Sequence, residues 1–121
     1  MKIFGETMIV SAMSIQGKLT EDKCATLIKK IVKKMEMTPA AGEVTYQYPM
    51  DGKGGVGFTH IQPITESFIA LDAWPDLNGA YLIICSCKCF SIDKVKLIIR
   101  NAGLKVLESK TNVLGLPCER S

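Results

Sequence analysis

Along most of the chain apolar residues either alternate with polar ones or run in short apolar stretches, and twice the spacing switches to three and four residues. From Lys2 to Met13 the residues are mainly apolar with β-branched members, which predicts a first strand broken at Gln16-Gly17-Lys18. Cys24, Leu27, Ile28, Ile31 and Met35 then recur at helical spacing, so one stripe faces a core while Lys23, Lys29, Lys30, Lys33 and Lys34 face water. Thr20 suits the N-cap, Glu21 and Asp22 suit the positive end of the helix dipole, and the helix must end before Pro39. Val44, Tyr46 and Tyr48 alternate with polar residues as in a half-buried strand. The glycine-rich stretch Pro49 to Gly55 that follows is a hairpin connection, since no helix comes after it to make a phosphate-binding loop.

Two strands, Val56 to Gln62 and Glu66 to Ala73, flank Pro63, and another runs from Ala80 to Lys88 after the turn Pro75 to Gly79. Ser91 or Asp93 caps a second helix that turns Val95, Ile98, Ile99 and Ala102 inward, with Gly103 at its left-handed end, and a strand from Leu104 to Ser109 closes the chain. The order β-α-β-β-β-β-α-β lacks the strict alternation that builds parallel sheets. It predicts an α+β fold, a two-layer α/β sandwich with a mainly antiparallel sheet and two helices on one face, as a single domain over 1–121.

Composition agrees with a globular domain: of 121 residues, 47% are hydrophobic and 22% charged, with five prolines. No apolar run approaches the roughly 18 residues of a membrane span, and no secretion signal opens the chain, so a cytoplasmic location is expected. The net charge of +3 comes largely from the lysines of one helix face, which reads as solvated and predicts neither nucleic-acid nor membrane binding. Five cysteines is an odd count suited to reduced thiols. Cys85, Cys87 and Cys89 share one face of the expected strand, but with no C-x-x-C pair or His cluster elsewhere no metal site is expected.

A hairpin centred near Leu77 would set Ser67 opposite Cys87, and one centred on Pro63 would set Thr59 opposite Ser67. Spacing alone thus gathers Thr59, Ser67 and Cys87, an arrangement that chance pairing of small polar residues also produces.

Glu66-Ser67, then Ala73-Trp74-Pro75, then Cys87, resembles the prokaryotic S-adenosylmethionine decarboxylases, whose pattern in this region is Glu-Ser-His, a second His, Trp-Pro and a Cys. The likeness extends to the Met-Lys start, Gly5 and the order of elements. It implies cleavage between Glu66 and Ser67, with the Ser67 hydroxyl attacking the Glu66 carbonyl and Ser67 becoming a pyruvoyl cofactor, an electron sink for loss of carbon dioxide. It further implies that Cys87 protonates the product and that Thr59 and Asp72 assist processing; Glu66 and Trp74 are candidate substrate contacts, though Trp74 before Pro75 reads first as anchoring the turn against the core. By the same resemblance the substrate is S-adenosylmethionine or another amino acid, the pathway polyamine (spermidine) synthesis, and the assembly a homodimer with two sheets face to face.

The departures are chemical. Phe68 stands at the first family His and Asp72 at the second, and an ordinary Asp is a weaker base than His by about 2.6 pK units. Thr7 and Ser11 replace a family His and carboxylate near the N-terminus, which alters substrate recognition. Asp72, five residues from Ser67, falls on the opposite face of a regular strand unless a bulge intervenes. The only histidine, His60, adjoins Thr59 and by alternation points to the other face, as a surface or loop residue. Two further readings stay open: an uncut, non-catalytic relative acting as a binding or regulatory protein, and a thiol-rich metal or nucleic-acid binder.

Overall fold

A computed structural model describes residues 2–4, 7–49, 56–115 and 118–120. Ten elements of regular strand or helix follow the predicted order with two additions. The first strand is two, β1 (Lys2–Phe4) and β2 (Thr7–Gln16). Helix α1 (Glu21–Lys34) leads to β3 (Val44–Pro49), β4 (Val56–Ile64), β5 (Ser67–Trp74) and β6 (Gly79–Ser86). Helix α2 (Ile92–Asn101) precedes β7 (Lys105–Gly115) and a final short β8 (Cys118–Arg120). β1 and β8 pair with each other, and the remaining six strands form one antiparallel sheet in the order β3-β4-β5-β6-β2-β7.

Both helices start as the sequence dictates. The Thr20 hydroxyl accepts from the Lys23 N–H at 3.3 Å and the Ser91 hydroxyl from the Lys94 N–H at 3.2 Å, each satisfying an orphan donor of the first turn. α1 ends at Met35, where Glu36 adopts a left-handed conformation (φ 55°), and α2 ends through Gly103 (φ 82°). Cys24, Leu27, Ile28 and Ile31 of α1 and Val95 and Ile99 of α2 pack on Met13, Ile15, Ile69, Leu71, Leu82 and Ile84 of the sheet. Helices therefore cover one face of the sheet. The opposite face has no covering layer among the described residues.

Two strand boundaries differ from expectation, and both move the site. β4 continues through Pro63 to Ile64, because the reversal falls at Thr65-Glu66. The second hairpin turns through a short 3₁₀ segment, Pro75–Leu77, and a left-handed Asn78 (φ 52°), which pairs Trp74 with Gly79. The pairing centre thus lies between Asp76 and Leu77 rather than on Leu77, and β6 stops at Ser86. The expected strand end at Ser109 is too early as well, since β7 pairs with β2 up to Gly115. Gly5 and most of the glycine-rich loop (50–55) lie outside the described residues, although Pro49 pairs with Val56 as in the expected hairpin.

Leu82 is fully buried on the helix-covered face and Leu97 is 55% exposed on α2. Leu82→Ala should cost about 2–5 kcal/mol of unfolding free energy and Leu97→Ala less than about 0.5 kcal/mol, measured by urea denaturation. Equal losses would mean that the helices do not cover this face.

Candidate functional site

The candidate residues lie on β4, β5 and the end of β6, and the register decides which of them meet. Across β4 and β5, Ile64 opposes Ser67 and Thr59 opposes Asp72. Across β5 and β6, Ser67 opposes Ser86 and Asp72 opposes Tyr81. The expected Ser67–Cys87 and Thr59–Ser67 oppositions are therefore not formed. A shift of one residue puts Cys87 opposite Glu66 instead, and there the Cys87 N–H donates to the Glu66 carbonyl at 3.0 Å.

The result is two clusters at opposite ends of β5. At its start stand Glu66, Ser67, Ser86 and Cys87. The Glu66 carboxylate accepts from the Thr38 N–H at 3.1 Å and from the Thr65 hydroxyl at 2.9 Å, while the Thr65 N–H donates to the Thr38 carbonyl at 2.8 Å. Ser67 has φ 153°, a backbone region that residues other than glycine rarely populate. Buried Ser86 closes the bend that follows β6: its hydroxyl accepts from the Lys88 N–H at 3.0 Å and donates to the Lys88 carbonyl at 2.8 Å. Cys87 and Cys89 are exposed beyond the strand, so the three cysteines do not form one strand face. Phe68, in place of a histidine, is 38% exposed and lies opposite Pro63 and Cys85.

Five residues further along β5, about 17 Å at the rise of a strand, the Thr59 hydroxyl donates to the Asp72 carboxylate. Asp72 shares its face with Trp74 and Tyr81, whose rings meet edge to face with centroids 5.3 Å apart. A shallow depression of about 250 Å³ opens beside them, lined by Ser14, Asp72, Tyr81, Ile83, Glu108 and Lys110. Trp74 thus packs on the uncovered face, not against the core. Within one chain neither Thr59 nor Asp72 pairs with Ser67, and Trp74, seven residues from Ser67, is about 23 Å away along the strand. As strand alternation predicts, Asp72 is on the uncovered face, whereas Ser67 falls in step with core-facing Ile69.

His60 is on the helix-covered face, buried to 3% exposure, not on a surface or loop. Its Nδ1 is 2.7 Å from the Thr45 hydroxyl and its Nε2 2.9 Å from the Glu43 carboxylate, which satisfies both ring nitrogens. It cannot serve as the base of a site on the other face. Ser11 is likewise buried there, bonded to the Thr111 hydroxyl at 3.1 Å, and so contacts nothing on the uncovered side. Among the described residues no group of three His, Cys, Asp or Glu is placed to hold a metal ion. No helix among them is long and apolar enough to cross a membrane. Ser86 is the residue that sequence reasoning missed; its signal, a hydroxyl one position before a candidate thiol, is too common to single out.

Desolvation acts to raise the Glu66 carboxyl, but the Thr38 N–H, the Thr65 hydroxyl and the charge of Lys88 outweigh it and hold the group below its ordinary 4.5. A depressed carboxyl stabilises the fold above its unfolded value and loses that contribution as pH falls through the folded one. The Thr38 amide proton should therefore titrate with a midpoint below 4.5 in NMR, and Glu66→Gln should remove the transition; a midpoint at or above 4.5 would break the assignment. Burial, with help from Glu21, pushes the Cys24 thiol up to about 12, and burial also raises Cys85. Alkylation of the native protein followed by peptide mapping should label Cys87 and Cys89 well before Cys24 and Cys85.

No protein-family model matches the chain, and no curated protein sequence matches it. Among solved structures, the adenosylmethionine decarboxylase from Aquifex aeolicus VF5 is similar over 91% of each chain, with a TM-score of 0.54 and 16% sequence identity. What the chain shares with that enzyme is its α+β fold, the antiparallel sheet backed by two helices.

Proposed function

We propose that this protein is a pyruvoyl-dependent decarboxylase of the S-adenosylmethionine decarboxylase type, which cleaves itself between Glu66 and Ser67. The observation that carries the reading is the hydrogen bond from the Cys87 N–H to the Glu66 carbonyl. That carbonyl belongs to the bond to be cut, and a donor already fixed on it stabilises the oxyanion that forms there.

In the cleavage, the Ser67 Oγ bonds to the Glu66 carbonyl carbon and its proton is taken up; the C–N bond then breaks, leaving an ester and a free Ser67 amine. Loss of the Ser67 Cα proton expels the Glu66 main-chain carboxylate and leaves a dehydroalanine, which tautomerises to an imine; addition of one water then releases ammonia and leaves a ketone at residue 67. The neighbours suit this chemistry. The Glu66 side chain stays tied to Thr38, and β5 stays paired with β4 and β6, so both new ends would remain in place. The pyruvoyl group supplies an electron sink for decarboxylation of a bound amino acid. The Cys87 thiol, exposed one residue past Ser86, the ladder partner of Ser67, serves as proton donor to the product carbon.

Thr59 and Asp72 enter through a second copy of the chain. Tyr46, Phe68 and Tyr81 on the uncovered sheet face are 61%, 38% and 53% exposed, an apolar surface suited to burial against its like. Two such sheets packed face to face stand about 10 Å apart, less than the roughly 17 Å along one strand, so a two-fold pair can bring one copy's Asp72 toward the other's Glu66–Ser67 peptide bond at the strand end, although the Ser67 side chain itself falls in step with the covered face. The substrate, S-adenosylmethionine or another amino acid, would lie between the sheets near Trp74, and the product would feed aminopropyl transfer in polyamine synthesis. A second reading, an uncut relative that binds or regulates, is favoured by Phe68 and Asp72 standing where the decarboxylases have histidines.

Denaturing mass spectrometry separates the two readings. Fragments of 66 and 55 residues, absent in Ser67→Ala, are expected; a single species of 13.2 kDa in wild type would sink self-cleavage. Mixed Ser67→Ala and Asp72→Ala chains should regain cleavage that each lacks alone, since one intact site forms per mixed pair. Normal cleavage of Asp72→Ala alone would remove Asp72 from the reaction, and a mixture that stays uncut when both single variants are uncut would overturn its action across the pair.

A further inference from the structure

We infer that Ser86 is a positioning residue for this site, setting both the Cys87 amide on the carbonyl of the cleaved bond and the place of the Cys87 thiol, one residue past the ladder partner of Ser67; the inference rests on the self-cleavage reading for its first effect and not for its second. Ser86 is fully buried, yet its hydroxyl bonds to neither helix nor core. Both of its hydrogen bonds go to the backbone of Lys88, one to the N–H and one to the carbonyl. The pair closes a bend around a single residue, Cys87, whose own N–H is committed to the Glu66 carbonyl.

The bend is held from outside at one more point, where the Lys88 ammonium donates to the Glu36 carbonyl at 2.9 Å past the end of α1. Without the Ser86 hydroxyl the Lys88 N–H and carbonyl would turn to water, and nothing local would keep β6 from ending a residue earlier. Ser86 also lies directly opposite Ser67 in the ladder, so a change in its volume is felt where the new chain end would form. A side chain one position from the thiol thus acts on the reaction through backbone geometry and touches no reacting atom.

The test compares Ser86→Ala with Ser86→Thr and Ser86→Val, the last two alike in shape and different in the hydroxyl. Three quantities are read: the half-time of cleavage by intact mass, the alkylation rate of Cys87, and hydrogen exchange of the Cys87 amide, each alongside a thermal melt. Loss of a fixed oxyanion donor costs about 10²–10³ in rate, so misplacing it should slow cleavage at least about tenfold in Ala and Val, with Thr within about threefold of wild type. The Cys87 amide should exchange faster and the thiol alkylate at a changed rate in Ala and Val, but not in Thr. Should Ala fail to fold, the Thr and Val pair carries the comparison. If wild type proves uncut while amide exchange and alkylation still follow the hydroxyl, the positioning role stands and self-cleavage falls. Unchanged exchange and alkylation in both Ala and Val overturn the inference.

Discussion

The site depends on the register of β5 between its two neighbours. A two-residue reversal at Thr65-Glu66 fixes one side and the Pro75–Asn78 turn fixes the other, and each pairing then runs without a shift to the end of the strand. Because side chains alternate, a slip of one residue would exchange Ile69, Leu71 and Ala73 for Phe68, Ala70 and Asp72 in the core. Burying Asp72 under two helices without a charged partner would be costly, so hydrophobic burial on one face holds polar chemistry on the other in register.

The same constraint explains what could be read from the chain beforehand. Helix positions, caps and the sandwich architecture follow from the spacing of Leu27, Ile28, Ile31, Val95 and Ile99, and from Thr20 and Ser91, all local signals. The β5–β6 pairing differs from expectation by one residue and the β4–β5 pairing by five, because hairpin centres depend on turn geometry: a left-handed Asn78 and a strand that runs through Pro63 leave no mark in hydrophobic alternation. That one residue moved Cys87 from Ser67 to Glu66. It also turned an expected meeting of side chains into a backbone hydrogen bond on the carbonyl, a contact no pattern of residue types encodes.

The separation of the two clusters has a similar origin. Residues five apart on an extended strand cannot meet, whatever their chemistry, and so Thr59 and Asp72 face outward with Trp74 and Tyr81 instead of joining Ser67. An uncovered face bearing aromatic rings and a shallow polar depression is where the proposed pairing with a second copy of the chain would act.

The position of the single imidazole limits what base the site can use. His60 is spent on the covered face, where Thr45 and Glu43 occupy its two nitrogens and where its pairing with Thr45 ties edge strand β3 to the core. The sequence has no other histidine, so in the proposed cleavage proton transfer would fall to carboxylates and thiols. Such groups bracket neutral pH from either side: free carboxylates titrate near 4 and free thiols near 8.5, so neither buffers as imidazole does. A weaker base must be compensated by stabilising the charge that forms on the other reactant. The amide of Cys87, held against the Glu66 carbonyl before any reaction begins, is placed to provide that compensation.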